Sequence, residues 1–244
     1  MRYITILMIL LSTGLFAKDK TIVLANETTW APHYGKELKD GGYTTKIIKE
    51  ALKKVGYKLE IKWLPWNRAL TLASKGVYDG LGACFFNEKR AKSFSYTDTI
   101  GSTDTSFFSL KNREFKYTSM EDLKNYKIGT AIGYGYPKVF TDAGYLKTQS
   151  VKDAKTNVIK LAKKRIDLTI GSKKVIQNII NTSYPEYKDS IVAIEPAIDS
   201  LPLFVAFSKQ KDGYEQKVRD FNRGLKMIIK DGTFDAIMKE YGFE

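Results

Sequence analysis

Cysteine and histidine are nearly missing from this chain: Cys84 and His33 are the only ones among 244 residues. One thiol cannot form an intramolecular disulfide. With one imidazole beside it, a soft-metal centre lacks its usual donors. Cys84 lies in an apolar run and reads as a packing residue. His33 lies in the polar loop ETTWAPHYG and is expected to be solvated. No constellation of nucleophile and histidine can be assembled, so the chain reads as a non-enzyme without metal or cofactor. Long apolar runs are scarce too. Ile4 to Phe16 follows a basic start and ends at Ala17 before Lys18-Asp19-Lys20, which is the pattern of a cleaved secretory signal peptide over residues 1–17. The run falls short of the roughly 20 apolar residues that span a bilayer. No cysteine follows it, which argues against a lipid anchor. Export without disulfides points to the bacterial periplasm.

Acidic residues are outnumbered, 27 against 40 lysines and arginines, for a formal charge of +13 that falls to +12 once Arg2 leaves. Such a charge can mean nucleic acid. Here, however, the lysines fall on the polar faces of helical patterns such as KIIKEALKKVG and KVRDFNRGLKMIIKDG. Solvated helix faces account for them, and no nucleic-acid partner is expected.

The hydrophobic pattern gives two α/β series. Ile22 to Ala25, Leu59 to Trp63 and Leu81 to Cys84 read as strands, separated by helices over Tyr43 to Val55 and Trp66 to Ser74. A second series starts at Ser119, whose spacing to Asp122 fits a capping box. It continues as a strand over Lys127 to Thr130, a helix over Tyr136 to Ala143 and a weak strand over Tyr145 to Thr148. A helix over Asp153 to Lys164, a strand over Ile166 to Ile170 and a helix over Lys173 to Asn181 complete it. Leu201 to Phe207 is a further strand, and two helices close the chain. No low-complexity linker divides the series, so two lobes joined directly, with a ligand cleft between them, are expected.

Within this pattern, Tyr78 to Asp98, YDGLGACFFNEKRAKSFSYTD, delivers Arg90 from the carboxyl end of an apolar strand. Open α/β sheets bind ligands at such ends. A guanidinium can grip a carboxylate with two parallel charge-assisted hydrogen bonds. The alternative from the residues alone is a solvated arginine in the cluster Lys89, Arg90, Lys92.

Four segments in order, Asp79-Gly80 through NEKRAKSFSYTD, DLKNYKIGTAIGYG, KKRIDLTIGS and FNRGLKMIIKDGTFDAIMKEYG, resemble the bacterial extracellular solute-binding proteins, family 3, the polar amino acid receptors of ABC importers. The resemblance spans essentially the whole mature chain. It implies a type II periplasmic binding fold of two α/β lobes joined by two crossing strands, with lobe one at about 18–103 and 200–244 and lobe two at about 104–199. By this resemblance Arg90 holds the ligand α-carboxylate, Trp30 packs on the ligand, and Glu27 stands near its side chain. The backbone amides of Gly133, Tyr134 and Gly135 face the carboxylate at a helix start, where free amides attract anions.

Two positions depart from the family pattern. Ser172 stands where an Asp often binds the ligand ammonium, and Phe85 and Phe86 replace a common serine or threonine. Either the ammonium is met elsewhere, with Glu27 one candidate, or the ligand is a carboxylate without one. WLPWNRAL resembles a subgroup signature and makes Trp66 and Arg68 candidate cleft residues, the other reading being core and surface. The expected function is a monomeric periplasmic receptor that delivers a small polar carboxylate to a membrane ABC permease. The alternatives are a cyclohexadienyl dehydratase-like enzyme and a ligand-loaded partner of a membrane sensor.

Overall fold

A computed structural model describes residues 20–113, 115 and 117–242; the expected signal peptide lies outside them. Strand β1 (Lys20–Glu27) leads through the two-residue strands β2 (Thr29–Trp30) and β3 (Tyr34–Gly35) to helix α1 (Tyr43–Lys53). Ile47, Ile48, Ala51 and Leu52 of α1 are fully buried, as their helical spacing requires. Then come β4 (Tyr57–Leu64), α2 (Trp66–Ser74), β5 (Gly80–Phe85), which is buried along its whole length, and a single turn, α3 (Glu88–Ala91). The long strand β6 (Phe94–Leu110) leaves this group for a second one. That group consists of β7 (Lys127–Ala131), α4 (Lys138–Thr141), β8 (Lys147–Val151), α5 (Ala154–Ala162), β9 (Leu168–Ser172), α6 (Lys173–Ser183) and β10 (Ile191–Ala193). Strand β11 (Asp199–Ser208) returns, and α7 (Tyr214–Lys230) and α8 (Thr233–Glu240) finish the chain.

The main sheet runs β4-β1-β5-β11-β6-β9-β7-β8, with β10 on β6. Its outer thirds are parallel, β4-β1-β5 on one side and β9-β7-β8 on the other. The antiparallel pair β6 and β11 joins them. β6 pairs with β11 from Phe94 to Thr105 and with β9 from Thr105 to Phe108, so it serves both halves. Separate cores fill the two sides. One gathers Ile22, Leu24, Ile48, Phe207 and Phe221, and the other Phe107, Ile128, Leu168 and Phe140.

Helix α7 lies directly on α1. A Cβ at Gly224 would sit 2.0 Å from the Ala51 carbonyl oxygen, so only glycine permits this approach. Asp79 ties three elements of the first half. Its carboxylate accepts from the Val23 amide at 2.7 Å and from Lys217 of α7 at 2.9 Å. Asp79→Ala strands a half-buried amide and should cost about 1 kcal/mol, read as a lower urea midpoint; an unchanged midpoint would show the tie to be idle.

The capping box at Ser119 and Asp122 is present. The expected helix over Tyr136 to Ala143 shrinks to α4, because Pro137 has ψ 143, extended rather than helical, and serves as its N-cap. The weak strand falls two residues later than expected, at β8, where Lys147 to Val151 pair with Lys127 to Ala131. His33 contradicts the expectation of a solvated side chain. It is fully buried, stacked 4.4 Å from Trp30, with Nδ1 2.7 Å from the Tyr43 hydroxyl. The loop around it is polar in sequence but folds beneath Trp30.

Candidate functional site

The carboxyl ends of β1, β5 and β7 converge between the two halves of the sheet. They bring Glu27, Phe85 and the segment after Ala131 to one place, where a parallel sheet is expected to bind ligand. A partly open cavity of about 30 Å³ lies there. Glu27, Trp30, Tyr34, Trp66 and Arg90 line it from the first half, along with Ala83, Cys84 and Phe85 of β5. Tyr134 and Gly135 line it from the second. This is room for about two water molecules, so an amino acid needs the halves to part. Outside it lies a vestibule of about 380 Å³, whose walls include Asp153, Lys155 and Asn178. Glu27, Trp30, Trp66 and Tyr134 border both spaces and form the partition between them.

Arg90 is 7% exposed. Asn87 sets it in place, capping α3 by accepting from the Arg90 amide at 3.0 Å. The guanidinium donates from Nη1 to the Phe85 carbonyl at 2.9 Å and from Nη2 to the Gly133 carbonyl at 2.8 Å. It also lies over the Trp66 ring, 5.2 Å from its centroid. Among the described residues no carboxylate is bonded to it. A buried cation bonded to carbonyls and lying over a ring face, with no described carboxylate bonded to it, is electrostatically unbalanced, and an entering anion would correct this.

Glu27 is half-buried at the carboxyl end of β1 and accepts from the Tyr134 hydroxyl at 2.6 Å. Burial pushes its pKa up to about 7; the bond from Tyr134 opposes that rise, and the charge of Asp153 adds to it. The cavity therefore carries one permanent cation and one carboxyl close to neutrality.

The residues expected at the site divide into three groups. Arg90, Trp30, Glu27, Phe85, Tyr134, Gly135 and Trp66 all border the cavity. Ser172 is buried behind it; its hydroxyl lies 2.9 Å from that of Thr103 and 3.4 Å from His33 Nε2. Arg68 is exposed on α2 and lines neither the cavity nor the vestibule, while Phe86 is half exposed, its ring tilted against that of Tyr96 with centroids 5.0 Å apart.

The amides of Gly133 to Gly135 do not open a helix, since α4 begins only at Lys138. Instead the Tyr134 amide turns back to the Ala131 carbonyl at 3.3 Å, and the Gly133 carbonyl faces Arg90. Tyr34, Ala83 and Cys84 also line the cavity. Ala83 and Cys84 lie in an apolar run that signalled only core packing, and Tyr34 lies in the loop that read as polar.

The family model for bacterial extracellular solute-binding proteins, family 3, matches residues 22–244. The chain belongs to this family. It is 23% identical over 228 residues to the L-cystine-binding protein TcyA of Bacillus subtilis (strain 168), covering 92% of this chain and 82% of that one. A probable histidine-binding protein of Campylobacter jejuni is 24% identical over 206 residues, covering 83% and 77%. An ancestral arginine-binding protein solved with arginine superposes with a TM-score of 0.75 at 23% identity, covering 91% of this chain and 97% of that one. The solute-binding role and the two-lobed fold stand on these matches. Among the described residues no helix is long and apolar enough to cross a membrane.

Proposed function

We propose that the protein is a periplasmic receptor that captures a small polar carboxylate, an amino acid or close analogue, between its lobes and passes it to an ABC importer. The observation that carries this reading is the buried Arg90 guanidinium, bonded to carbonyls and facing the cavity. The ligand acid would take two of its donors, and Trp30, Trp66 and Phe85 would enclose the rest. In this reading the lobes divide within β6, after residue 103, and at the start of β11, after residue 199, and closure follows from the ligand's preference for the closed state.

A panel of amino acids, each paired with its deaminated acid, tests it by melting temperature. A ligand at 100 times its dissociation constant should stabilise the mature protein by about 2.7 kcal/mol. If the amino acids shift the melting point and their partners do not, the ammonium is recognised, with Glu27 as its acceptor. Equal shifts would mean an acid without an amino group, and no shift from any acid would remove the reading.

One observation favours an enzyme on the same fold: Glu27, its pKa near 7, could act as a general acid beside a bound carboxylate. Turnover of prephenate or arogenate by the purified protein would establish that reading in place of a receptor.

A further inference from the structure

The two anchor points in the cavity are both occupied, and both by one dipeptide of the second lobe. The Gly133 carbonyl accepts from Arg90 Nη2 at 2.8 Å and from Trp66 Nε1 at 2.9 Å. The Tyr134 hydroxyl donates to Glu27 at 2.6 Å. Arg90, Trp66 and Glu27 all belong to the first lobe, so these three bonds cross the cleft. The fit depends on glycine. Gly133 has φ +77, and a Cβ there would stand 2.9 Å from Asn67 Oδ1 and 3.2 Å from Trp66 Nε1. The Tyr134 ring meets Trp66 edge-on, with centroids 6.1 Å apart, and fills the partition between cavity and vestibule.

We propose that Gly133–Tyr134 is a built-in stand-in for the ligand: the carbonyl takes the acid's place on Arg90, the phenol takes that of a ligand donor at Glu27, and binding exchanges these contacts for the ligand's own. This rests on the reading of the cavity as the ligand site. It makes Tyr134 a specificity-determining residue. A ligand must displace the phenol, and above pH 7, where Glu27 is ionised and can only accept, one that brings an acid but no donor leaves Glu27 without a partner. In that range the acids selected are those with a hydrogen-bond donor on the side away from Arg90, and simple dicarboxylates are rejected.

Cys84 supplies a test that needs no ligand. It is the chain's only thiol, lines the cavity and is 4% exposed, so a reagent reaches it when the cleft opens. Iodoacetamide alkylates it as the thiolate displaces iodide, at a rate proportional to the open population. In unliganded protein, Tyr134→Phe and Glu27→Ala should each speed alkylation about tenfold, the size expected for loss of a bond to a carboxyl group. The double variant should go no faster than the faster single one, because both remove the same bond. Urea midpoints measured alongside separate cleft opening from unfolding. Rates equal to the parent's, additive rates, or rates that rise only as the midpoint falls would each overturn the proposal. These outcomes leave the carboxylate reading standing, and failure of every acid in the melting panel leaves this measurement interpretable.

Discussion

Arg90→Ala should weaken carboxylate binding by a factor on the order of 30 or more, since losing one side of a desolvated charge pair costs about 2 to 5 kcal/mol. The structure shows why the loss falls on binding more than on folding. The side chain is bonded to two backbone carbonyls and lies on a ring face, with no acid of the protein bonded to it among the described residues. Removal deprives two carbonyls of a donor but also removes a buried cation that the protein leaves unbalanced. These effects oppose one another, so the melting point of the unliganded protein should move little. Arg90→Lys keeps the charge and loses the planar fork. It should retain part of the affinity, which separates charge from geometry. Calorimetric titration with the acid that gives the largest melting shift checks all three proteins. Parental affinity in the alanine variant would place Arg90 outside the site.

What could be read from the sequence was whatever short-range pattern controls. Apolar spacing located α1, α2, β5, α5 and α6, and the run before Arg90 placed that residue at a strand's carboxyl end. Chain-distant partners were not legible. His33 has polar neighbours in sequence, yet its partners in space are Trp30, Tyr43 and Ser172, the last 139 positions away. Nothing local reports such a contact. The Gly133 segment failed for a related reason. Pro137 and the glycines suggest a helix start, but α4 is only four residues long, and the carbonyl that matters points to a residue 43 positions earlier. Ser172 was expected at the ligand because the family resemblance often places an Asp there, past a strand expected to end at Ile170; the strand in fact runs on to Ser172. The side chain packs behind the cavity because its hydroxyl pairs with Thr103 on the crossing strand β6.

The same buried His33 and the cavity carboxyl Glu27 give stability a pH profile that neither would give alone. Glu27 has a folded pKa near 7, above its usual 4.5. Its contribution is complete below pH 4.5 and is lost as pH rises to 7, in all about 3 kcal/mol. His33 is held neutral by burial and by the charge of Lys174, with a folded pKa near 3, below its usual 6.5. Its contribution is complete above pH 6.5 and is lost as pH falls towards 3, in all about 5 kcal/mol. Between roughly pH 4.5 and 6.5 the folded protein carries a proton on Glu27 and none on His33, and the unfolded chain carries the reverse. The proton counts match, so this pair leaves stability flat in that window. Glu27→Gln should expose the slope of His33, with stability rising about 1.4 kcal/mol per pH unit. His33→Gln should expose the opposite slope. Urea unfolding of the three proteins at pH 5 and pH 6 decides the matter: a Glu27→Gln profile as flat as the parent's would mean that the two groups do not compensate.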